Sequence, residues 1–225
     1  MLHLCDSLFP IGAFAYSDGL EAATAVREAL VLIDRADRGV AGDVVGLREW
    51  IDAVLDESIG RLEGPAVWQA WRGVIDRDWS ALAALDDELT AIRPAQATRA
   101  ASRAMGHRLL TTWRALHPDE RLTRVPPSCS LPVAFAAACA CSGVDRRESV
   151  ESYAYTRLAS TVSAAMRVQP LGQTEAHAAL ARALERVPSV AGTIAARDAR
   201  IESFSPALDI AAMTQQYLHS RLFRS

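Results

Sequence analysis

Histidine and cysteine are the residues of this chain best suited to hold a metal ion or to act as nucleophiles. The five histidines form no HExxH motif and no HxxxH pair on one helical face, which a catalytic zinc site normally shows. The four cysteines form no CxxC pair, and two of them lie in an apolar run where cysteine behaves as a small buried hydrophobe. These residues are His3, His107, His117, His177 and His219, and Cys5, Cys129, Cys139 and Cys141. Their scatter predicts no resident metal and no redox site, and no cofactor is expected.

Other catalytic chemistries are also poorly supported by the residue types. All 24 basic residues are arginine, and the chain has neither lysine nor asparagine. A P-loop and a Schiff-base enzyme both need a lysine, so these two classes are excluded, and the serine-hydrolase motif GxSxG is absent as well. Asp86, Asp87 and Glu88 point in different directions on a helix, as is typical of a solvated face. We therefore expect a protein without an active site.

Charge and hydropathy narrow the class of partner. The formal net charge of -3 lacks the basic excess that binding to a phosphate backbone needs, so nucleic acid is not expected as a partner. The longest apolar run, residues 131–141, is much shorter than the ~20 residues of a membrane-spanning helix. No signal-peptide pattern opens the chain. We expect a cytoplasmic protein without a membrane segment.

Apolar residues recur at helical spacing along nearly the whole chain, and strand-like alternation is hard to find. This spacing predicts an all-α fold, a single compact helical bundle of roughly eight to ten helices in one domain, residues 1–225. Asp18 and Glu21 have the spacing of a capping box, which predicts a helix through Val26, Leu30 and Val31, followed by a loop with Gly39 and Gly42. Further helices are predicted over residues 47–60, 65–75, 79–92, 95–116 and 131–141. Three more are predicted from Gly143 to near Pro170, over residues 173–187 before Pro188, and from Ser205 and Pro206 to the C-terminus. Residues 118–132 are predicted to be a connection.

Large apolar residues also concentrate near both ends of the chain. Residues 6–21 read DSLFPIGAFAYSDGLE, and a loop with so many aromatics is either a lid folded onto the core or a surface that holds a partner. The terminal RLFRS has the composition of an interface anchor that orders on binding, although most chain ends fray. The N-terminal loop 1–18 and the C-terminal tail 219–225 are therefore predicted to bind partners. The predicted contact residues are Phe9, Pro10, Gly12, Phe14, Tyr16, Ser17, Gly19, Glu21, Ser220, Arg221, Leu222, Phe223 and Arg224.

Five segments carry a family pattern in order along the chain. They are DSLFPIGAFAYSDGLE (6–21), SRAMGHRLL (Ser102–Leu110), PVAFAAA (Pro132–Ala138), SAAMRVQPLGQTEAH (Ser163–His177) and DIAAMTQQYLHSRLFRS (209–225). Together they resemble the UreF family of urease accessory proteins over essentially the whole chain. That family usually has glycine where Ala13 and Ala136 stand, and a His-Glu pair in place of Gln215 and Gln216, so these positions depart from its pattern.

The resemblance implies an all-α protein that forms a homodimer and binds the accessory proteins UreD (also called UreH) and UreG, and through them the urease apoprotein. UreG is the GTPase of this group, and nickel is delivered to urease with GTP hydrolysis. The leading hypothesis is a non-catalytic scaffold that joins UreD to UreG during nickel insertion. The alternative is a GTPase regulator of UreG, whose physical signature would be an arginine finger. The sequence has many arginines and does not select one.

Overall fold

The computed structural model describes residues 3–6, 9–25 and 46–223, without the side chain of Phe14. Every regular element within these ranges is helical and none is a strand, which confirms the predicted all-α bundle. The α-helices are α1 (residues 20–25), α2 (Leu47–Ala53), α3 (Gly64–Ile75), α4 (Trp79–Ile92), α5 (Gln96–Leu116), α6 (Glu120–Arg124), α7 (Leu131–Cys141), α8 (Arg146–Val168), α9 (Gln173–Arg197) and α10 (Pro206–Thr214). A π-helix, Val54–Glu63, joins α2 to α3 without a break, and 3-10 helices span Ala13–Ala15 and Gln215–Tyr217. The predictions for Val26, Leu30, Val31, Gly39 and Gly42 fall outside the described residues.

Helix α7 lies at the centre of the first apolar cluster. Its residues from Leu131 to Ala140 are all buried, as the uniformly apolar sequence predicts. Half of them are alanines, whose side chains end at Cβ, so that α3, α5 and α8 can pack closely around this helix. The ring of Phe135 meets that of Tyr153 from α8 edge-on, at a centroid distance of 5.3 Å. The first cluster therefore depends on a helix that has no solvent-facing side.

A buried helix start must have its free amide groups satisfied by other parts of the chain. The backbone N–H of Ser130 donates to the Asp86 carboxylate of α4 at 2.8 Å, and the N–H of Leu131 donates to Ser102 Oγ of α5 at 3.1 Å. Asp86 is only 5% exposed, so its prediction as part of a solvated face is wrong. An acidic side chain near a helix start also interacts favourably with the helix dipole. Asp86 and Ser102 thus fix how α4 and α5 meet α7.

A second apolar cluster includes the later turns of α8. It combines Trp50, Ile51 and the π-helix residues Leu55 and Ile59 with buried residues of α8, α9 and α10. Leu158 of α8 is fully buried in it. Helix α8 therefore contributes to both clusters, as do α9 and the π-helix.

Three predicted helix ends are wrong. The last helix was predicted to run to the C-terminus, but α10 ends at Thr214 and only the 3-10 helix Gln215–Tyr217 follows it among the described residues. The helix that starts at Leu47 does not stop near Gly60, since the π-helix continues directly into α3. Gly64, the first residue of α3, allows close packing against α9, because a Cβ on Gly64 would lie 2.7 Å from Ile194 Cδ1. Helix α9 likewise runs through Pro188 to Arg197. Burial of Val187, Ala191 and Ile194 on both sides of that proline offsets the roughly 3 kcal/mol that an internal proline costs a helix. The short helix α6 within the predicted connection 118–132 was not expected.

Two glycines give opposite predictions for replacement by alanine. A Cβ on Gly106 would lie 2.2 Å from the carbonyl oxygen of Cys129, which is backbone and cannot easily move, so Gly106→Ala should lower the free energy of unfolding by about 1–3 kcal/mol. Gly192 in α9 has as its nearest neighbour the flexible Arg147 side chain at 3.9 Å, so Gly192→Ala should raise that free energy by roughly 0.5–1 kcal/mol. Urea unfolding measures both. A harmless Gly106→Ala variant would contradict the close contact between α5 and the start of α7.

Candidate partner-binding site

The N-terminal loop is fastened to the bundle at several points. Phe9 is 5% exposed and its ring lies 5.7 Å from that of Trp113 in α5. Arg108 of the same helix donates from Nη1 to the carbonyl oxygen of Ile11 at 3.1 Å. Gly12 adopts a left-handed conformation with φ 75°, and a Cβ there would lie 2.6 Å from that guanidinium nitrogen. The first half of the loop is therefore a lid on α5, one of the two alternatives that the sequence left open.

Gln215 joins the second half of this loop to the C-terminal region. Its side chain is fully buried at the end of α10, and its Oε1 accepts hydrogen bonds from Ser17 Oγ at 2.9 Å and from the Gly19 N–H at 3.0 Å. Its Nε2 donates to Glu21 Oε2 at 3.1 Å. One amide side chain thus makes three hydrogen bonds to residues almost 200 positions away in the chain. We call the contacts between Ser17, Gly19, Glu21, Gln215 and residues 222–223 the terminal junction.

Glu21 completes the terminal junction by holding the C-terminal tail. Its carboxylate accepts hydrogen bonds from the backbone N–H groups of Leu222 at 2.6 Å and Phe223 at 3.3 Å. The ring of Phe223 is buried, and the Arg167 guanidinium lies over it at 4.4 Å. The predicted capping box is therefore wrong, because Glu21 binds the tail and the Asp18 carboxylate binds Arg157. Long-range partners outcompete the local backbone for both carboxylates.

A buried charge cluster lies next to the terminal junction. Glu63, the last residue of the π-helix, accepts hydrogen bonds from Arg93 Nη2 and from Arg157 Nε, the latter at 2.9 Å. Arg157 Nη2 also binds the Asp18 carboxylate at 2.7 Å. Burial acts to raise the pKa of the Glu63 carboxyl, but the charges of Arg157 and Arg93 outweigh it and hold this pKa below its ordinary value. The same two carboxylates, against the effect of burial, keep the pKa of Arg157 well above its usual range.

An exposed apolar surface, which we call the C-terminal face, borders the terminal junction. Ile210, Met213 and Tyr217 follow one another at helical spacing and lie on the outer side of α10 and the 3-10 helix after it. They are 58%, 39% and 80% exposed, while the opposite side of the same segment buries Leu208, Ala211 and Gln215. Two more exposed residues, Phe204 and Leu222, flank this row along the chain. Ile210, Met213 and Tyr217 thus place three large apolar side chains on one side of this segment.

Comparison with known proteins identifies the family. The UreF family model matches residues 42–184, which is more than half of the chain. This chain belongs to the UreF family. Among its relatives, the urease accessory protein UreF of Ralstonia pickettii is 32% identical over 242 residues, which cover 100% of this chain and 96% of the relative. The proteins of the same name from Methylorubrum populi and Chromohalobacter salexigens are 31% and 30% identical, covering 96% and 100% of this chain and 94% and 93% of the relatives.

The predicted contact residues of this UreF-family chain fall into different environments. Phe9, Ser17, Gly19, Glu21 and Phe223 are buried, Gly12 and Tyr16 are half-buried, and Pro10, Ser220, Arg221 and Leu222 are exposed. The side chain of Phe14 and all of Arg224 lie outside the described atoms. The two predicted segments do come together, because Gln215 and Glu21 connect them.

Sequence reasoning missed both the linking residues and the surface. Gln215 and Arg157 were not predicted as site residues, because nothing in the neighbouring sequence shows that a single glutamine or arginine binds several distant residues. Ile210, Met213 and Tyr217 recur at helical spacing in the sequence, but this row faces solvent and the narrower Leu208 side faces the core. An apolar row on a helix does not by itself say whether a core or a partner will cover it.

The histidines and cysteines do not form a second site in the described residues. His3 and His117 line a cavity of about 570 Å³ together with Asp119 and Cys141. Across residues 3–6, 9–25 and 46–223, no group of three His, Cys, Asp or Glu side chains is placed to hold a metal ion. Burial raises the pKa of Cys129 and Cys139 to about 12, so these thiols are protonated at neutral pH. Among the described helices, none has the length and apolar character that crossing a membrane requires.

Glu63 should make the stability of the chain depend on pH in the acid range. Its pKa is lower in the folded chain than in the unfolded one, so its charge stabilises the fold above the ordinary glutamate range. That contribution is lost as the pH falls through the folded-state pKa. Glu63→Gln leaves two buried guanidinium groups short of negative charge, and should lower the free energy of unfolding at neutral pH by about 3–5 kcal/mol.

Urea unfolding from neutral to acid pH measures this contribution. The curves for the unsubstituted chain and for Glu63→Gln should converge as the pH falls, since protonated Glu63 loses the same charge. Glu88→Gln on the exposed side of α4 is the matched control and should change little at any pH. A constant difference between the Glu63→Gln curve and that of the unsubstituted chain across the whole range would show that charge is not the stabilising factor.

Proposed function

We propose that this chain is a urease maturation factor of the cytoplasm, a non-catalytic scaffold that joins UreD/UreH and the GTPase UreG for GTP-dependent nickel insertion into urease. The single observation that carries the proposal is the C-terminal face, where Ile210, Met213, Tyr217 and Leu222 are exposed beside a junction that is itself well packed. A monomeric surface rarely keeps clustered large apolar groups in water unless they serve binding. The relatives' name, urease accessory protein, supplies the context of the partner.

The C-terminal face has the features of a protein interface. It has an exposed apolar row, and the polar residues Ser220 and Arg221, both exposed, precede the exposed Leu222 in the chain. Tyrosine and arginine are the residue types that most often dominate binding energy at such surfaces. The terminal junction beneath the row is already hydrogen-bonded, so that little ordering cost remains when a partner binds. We assign UreD/UreH to this face and UreG to another surface of the chain.

Removal of the tail should separate folding from partner binding. Deleting Ser220–Ser225 removes two hydrogen bonds to Glu21 and the buried Phe223 ring, but leaves every helix in place. We expect unchanged helical circular dichroism and loss of UreD in a pull-down. Retained UreD binding would refute the role of the tail.

A point substitution gives a sharper test of the C-terminal face. Tyr217→Asp places a charge in the row without touching the terminal junction, and should weaken UreD binding at least tenfold, about the 1.4 kcal/mol expected when one exposed anchor is lost. Leu116→Asp is the matched control, because Leu116 is 50% exposed at the end of α5 and does not belong to the Ile210–Met213–Tyr217 row. Isothermal titration with purified UreD measures both. Equal affinities for the two variants would rule out the C-terminal face as the UreD site.

The alternative function is a regulator of the UreG GTPase. The exposed Arg221 beside the C-terminal face is the feature that favours it, since an arginine inserted into a GTPase site stabilises charge in the transition state. UreG turnover in the complete complex should then fall about 10³-fold or more when this chain carries Arg221→Ala. It should be unchanged with the control Arg200→Ala, because Arg200 is also an exposed arginine. UreG turnover that is the same with and without this chain would reject the regulator and leave the scaffold.

The remaining partners of the proposal are a second copy of the chain and, through UreD and UreG, the urease apoprotein. Light scattering of the purified chain measures whether it is a homodimer. Co-expression of the urease operon with and without this chain, followed by assay of nickel in purified urease, tests the maturation role directly. Urease that contains its full nickel without the chain would overturn the proposed function.

A further inference from the structure

Residues Ser17, Asp18 and Gly19 are held alternately from two sides. Gln215 of the C-terminal region binds the side chain of Ser17 and the backbone N–H of Gly19. Arg157 of α8 binds the carboxylate of Asp18, which lies between them. No hydrogen bond joins Gln215 to Arg157 among the described contacts, and Ser17–Gly19 is a segment that both side chains bind.

The backbone of this segment makes a tight turn through two positive φ angles. Asp18 has φ 50° and Gly19 has φ 92°. Glycine adopts such an angle freely, whereas the left-handed conformation is less common for Asp18, whose side chain is held by Arg157. Gly19 is also pressed against α10, because a Cβ there would lie 2.6 Å from the backbone nitrogen of Ala212. Losing either the contacts of Gln215 or the contact of Arg157 therefore removes part of what keeps the other in place. We call these two sets of contacts the two holds on Ser17–Gly19.

We propose that Ser17–Gly19 is a conformational clamp that couples the tail at the terminal junction to the buried charge cluster around Arg157. When Arg157 releases Asp18, the left-handed pair can relax and withdraw Ser17 and Gly19 from Gln215. Helix α1 follows directly, and its Glu21 holds the backbone of Leu222 and Phe223. The tail is thus held indirectly by a charged group in α8 that it does not contact. Its relevance to partner binding rests on the proposed function of the C-terminal face.

A double-mutant cycle between the two holds tests the coupling in the isolated chain. Gln215→Ala removes the contacts of Gln215, and Asp18→Asn weakens the contact with Arg157 by removing the negative charge. Asn tolerates the left-handed conformation and leaves the Glu63–Arg157 pair in place. We expect each substitution to raise the equilibrium constant of unfolding. Its effect should be about fivefold smaller in the variant that already carries the other substitution than in the unsubstituted chain. The clamp would be overturned if the unfolding constant of the double variant agreed, to within about twofold, with the product of the two single effects.

The matched control for this cycle is Gln216→Ala combined with Asp18→Asn. Gln216 is adjacent to Gln215, but its side chain bonds only to the carbonyl oxygen of Met213 among the described contacts. Its effect should be independent of Asp18. Arg157→Gln can replace Asp18→Asn as the second hold, although it also breaks the pair with Glu63 and is expected to be less stable.

Hydrogen exchange gives a second, remote readout. Asp18→Asn should increase exchange of the amides in the peptide 218–225 about fivefold, because Leu222 and Phe223 lose the ordered Glu21 that accepts their hydrogen bonds. Asp52→Asn, which weakens the exposed pair of Asp52 with Arg186, is the control and should leave that peptide unchanged. Unchanged exchange in Asp18→Asn would overturn the proposal. Neither measurement contains UreD. The clamp can therefore be overturned while UreD binding at the C-terminal face is confirmed, and UreD binding at that face can be refuted while the clamp is confirmed.

Discussion

A carboxylate buried inside a helical bundle has to be neutralised, and Glu63 meets this constraint with two arginines from separate elements. Arg93 comes from the connection between α4 and α5, and Arg157 from α8. An isolated buried charge would cost several kcal/mol, so these three side chains can only be buried together. The cluster thereby fixes the end of the π-helix relative to α8, a helix that contributes to both apolar clusters. Because Arg157 has a second partner in Asp18, the same interaction reaches the N-terminal loop.

The terminal regions continue this arrangement outward from the core. Asp18 lies next to the two residues that Gln215 binds, and Glu21, one turn further, holds the backbone of residues 222–223. Polar side chains thus connect the centre of the bundle to the last described residues. A hydrogen bond to a charged carboxylate in a partly dry environment is stronger than one in water, which explains how a short tail can be ordered without being part of a helix.

What the chain leaves exposed is as informative as what it buries. The inward side of α10 and the 3-10 helix after it carries Leu208, Ala211 and Gln215, and a Cβ on Gly19 of the N-terminal loop would lie 2.6 Å from the backbone nitrogen of Ala212. The bulky residues Ile210, Met213 and Tyr217 lie on the outward side. The well-packed junction and the exposed apolar face are two sides of one helix. A rigid base under an apolar surface is what a scaffold needs in order to bind without first folding.

Much of the fold follows from residue spacing alone. The bounds of α4, α5 and α7 agree closely with their predicted ranges, because Pro94 limits α4 and an unbroken apolar run defines α7. Spacing failed at Gly60 and Pro188, where helices continue through residues that normally interrupt them, since buried neighbours offset the local cost. The sequence also determined the family, through motifs that span both ends of the chain.

The candidate site divides in the same way. Sequence alone marked the two terminal segments as unusual, because their aromatic and arginine content is visible without a structure. Only the tertiary structure decided that they meet, that Gln215 and Glu21 connect them, and that the apolar row of α10 faces water. The physical reason is that a local pattern sets the conformation of a segment. The partner of a lone buried Gln, Glu or Arg is set by which distant element packing brings within hydrogen-bond distance.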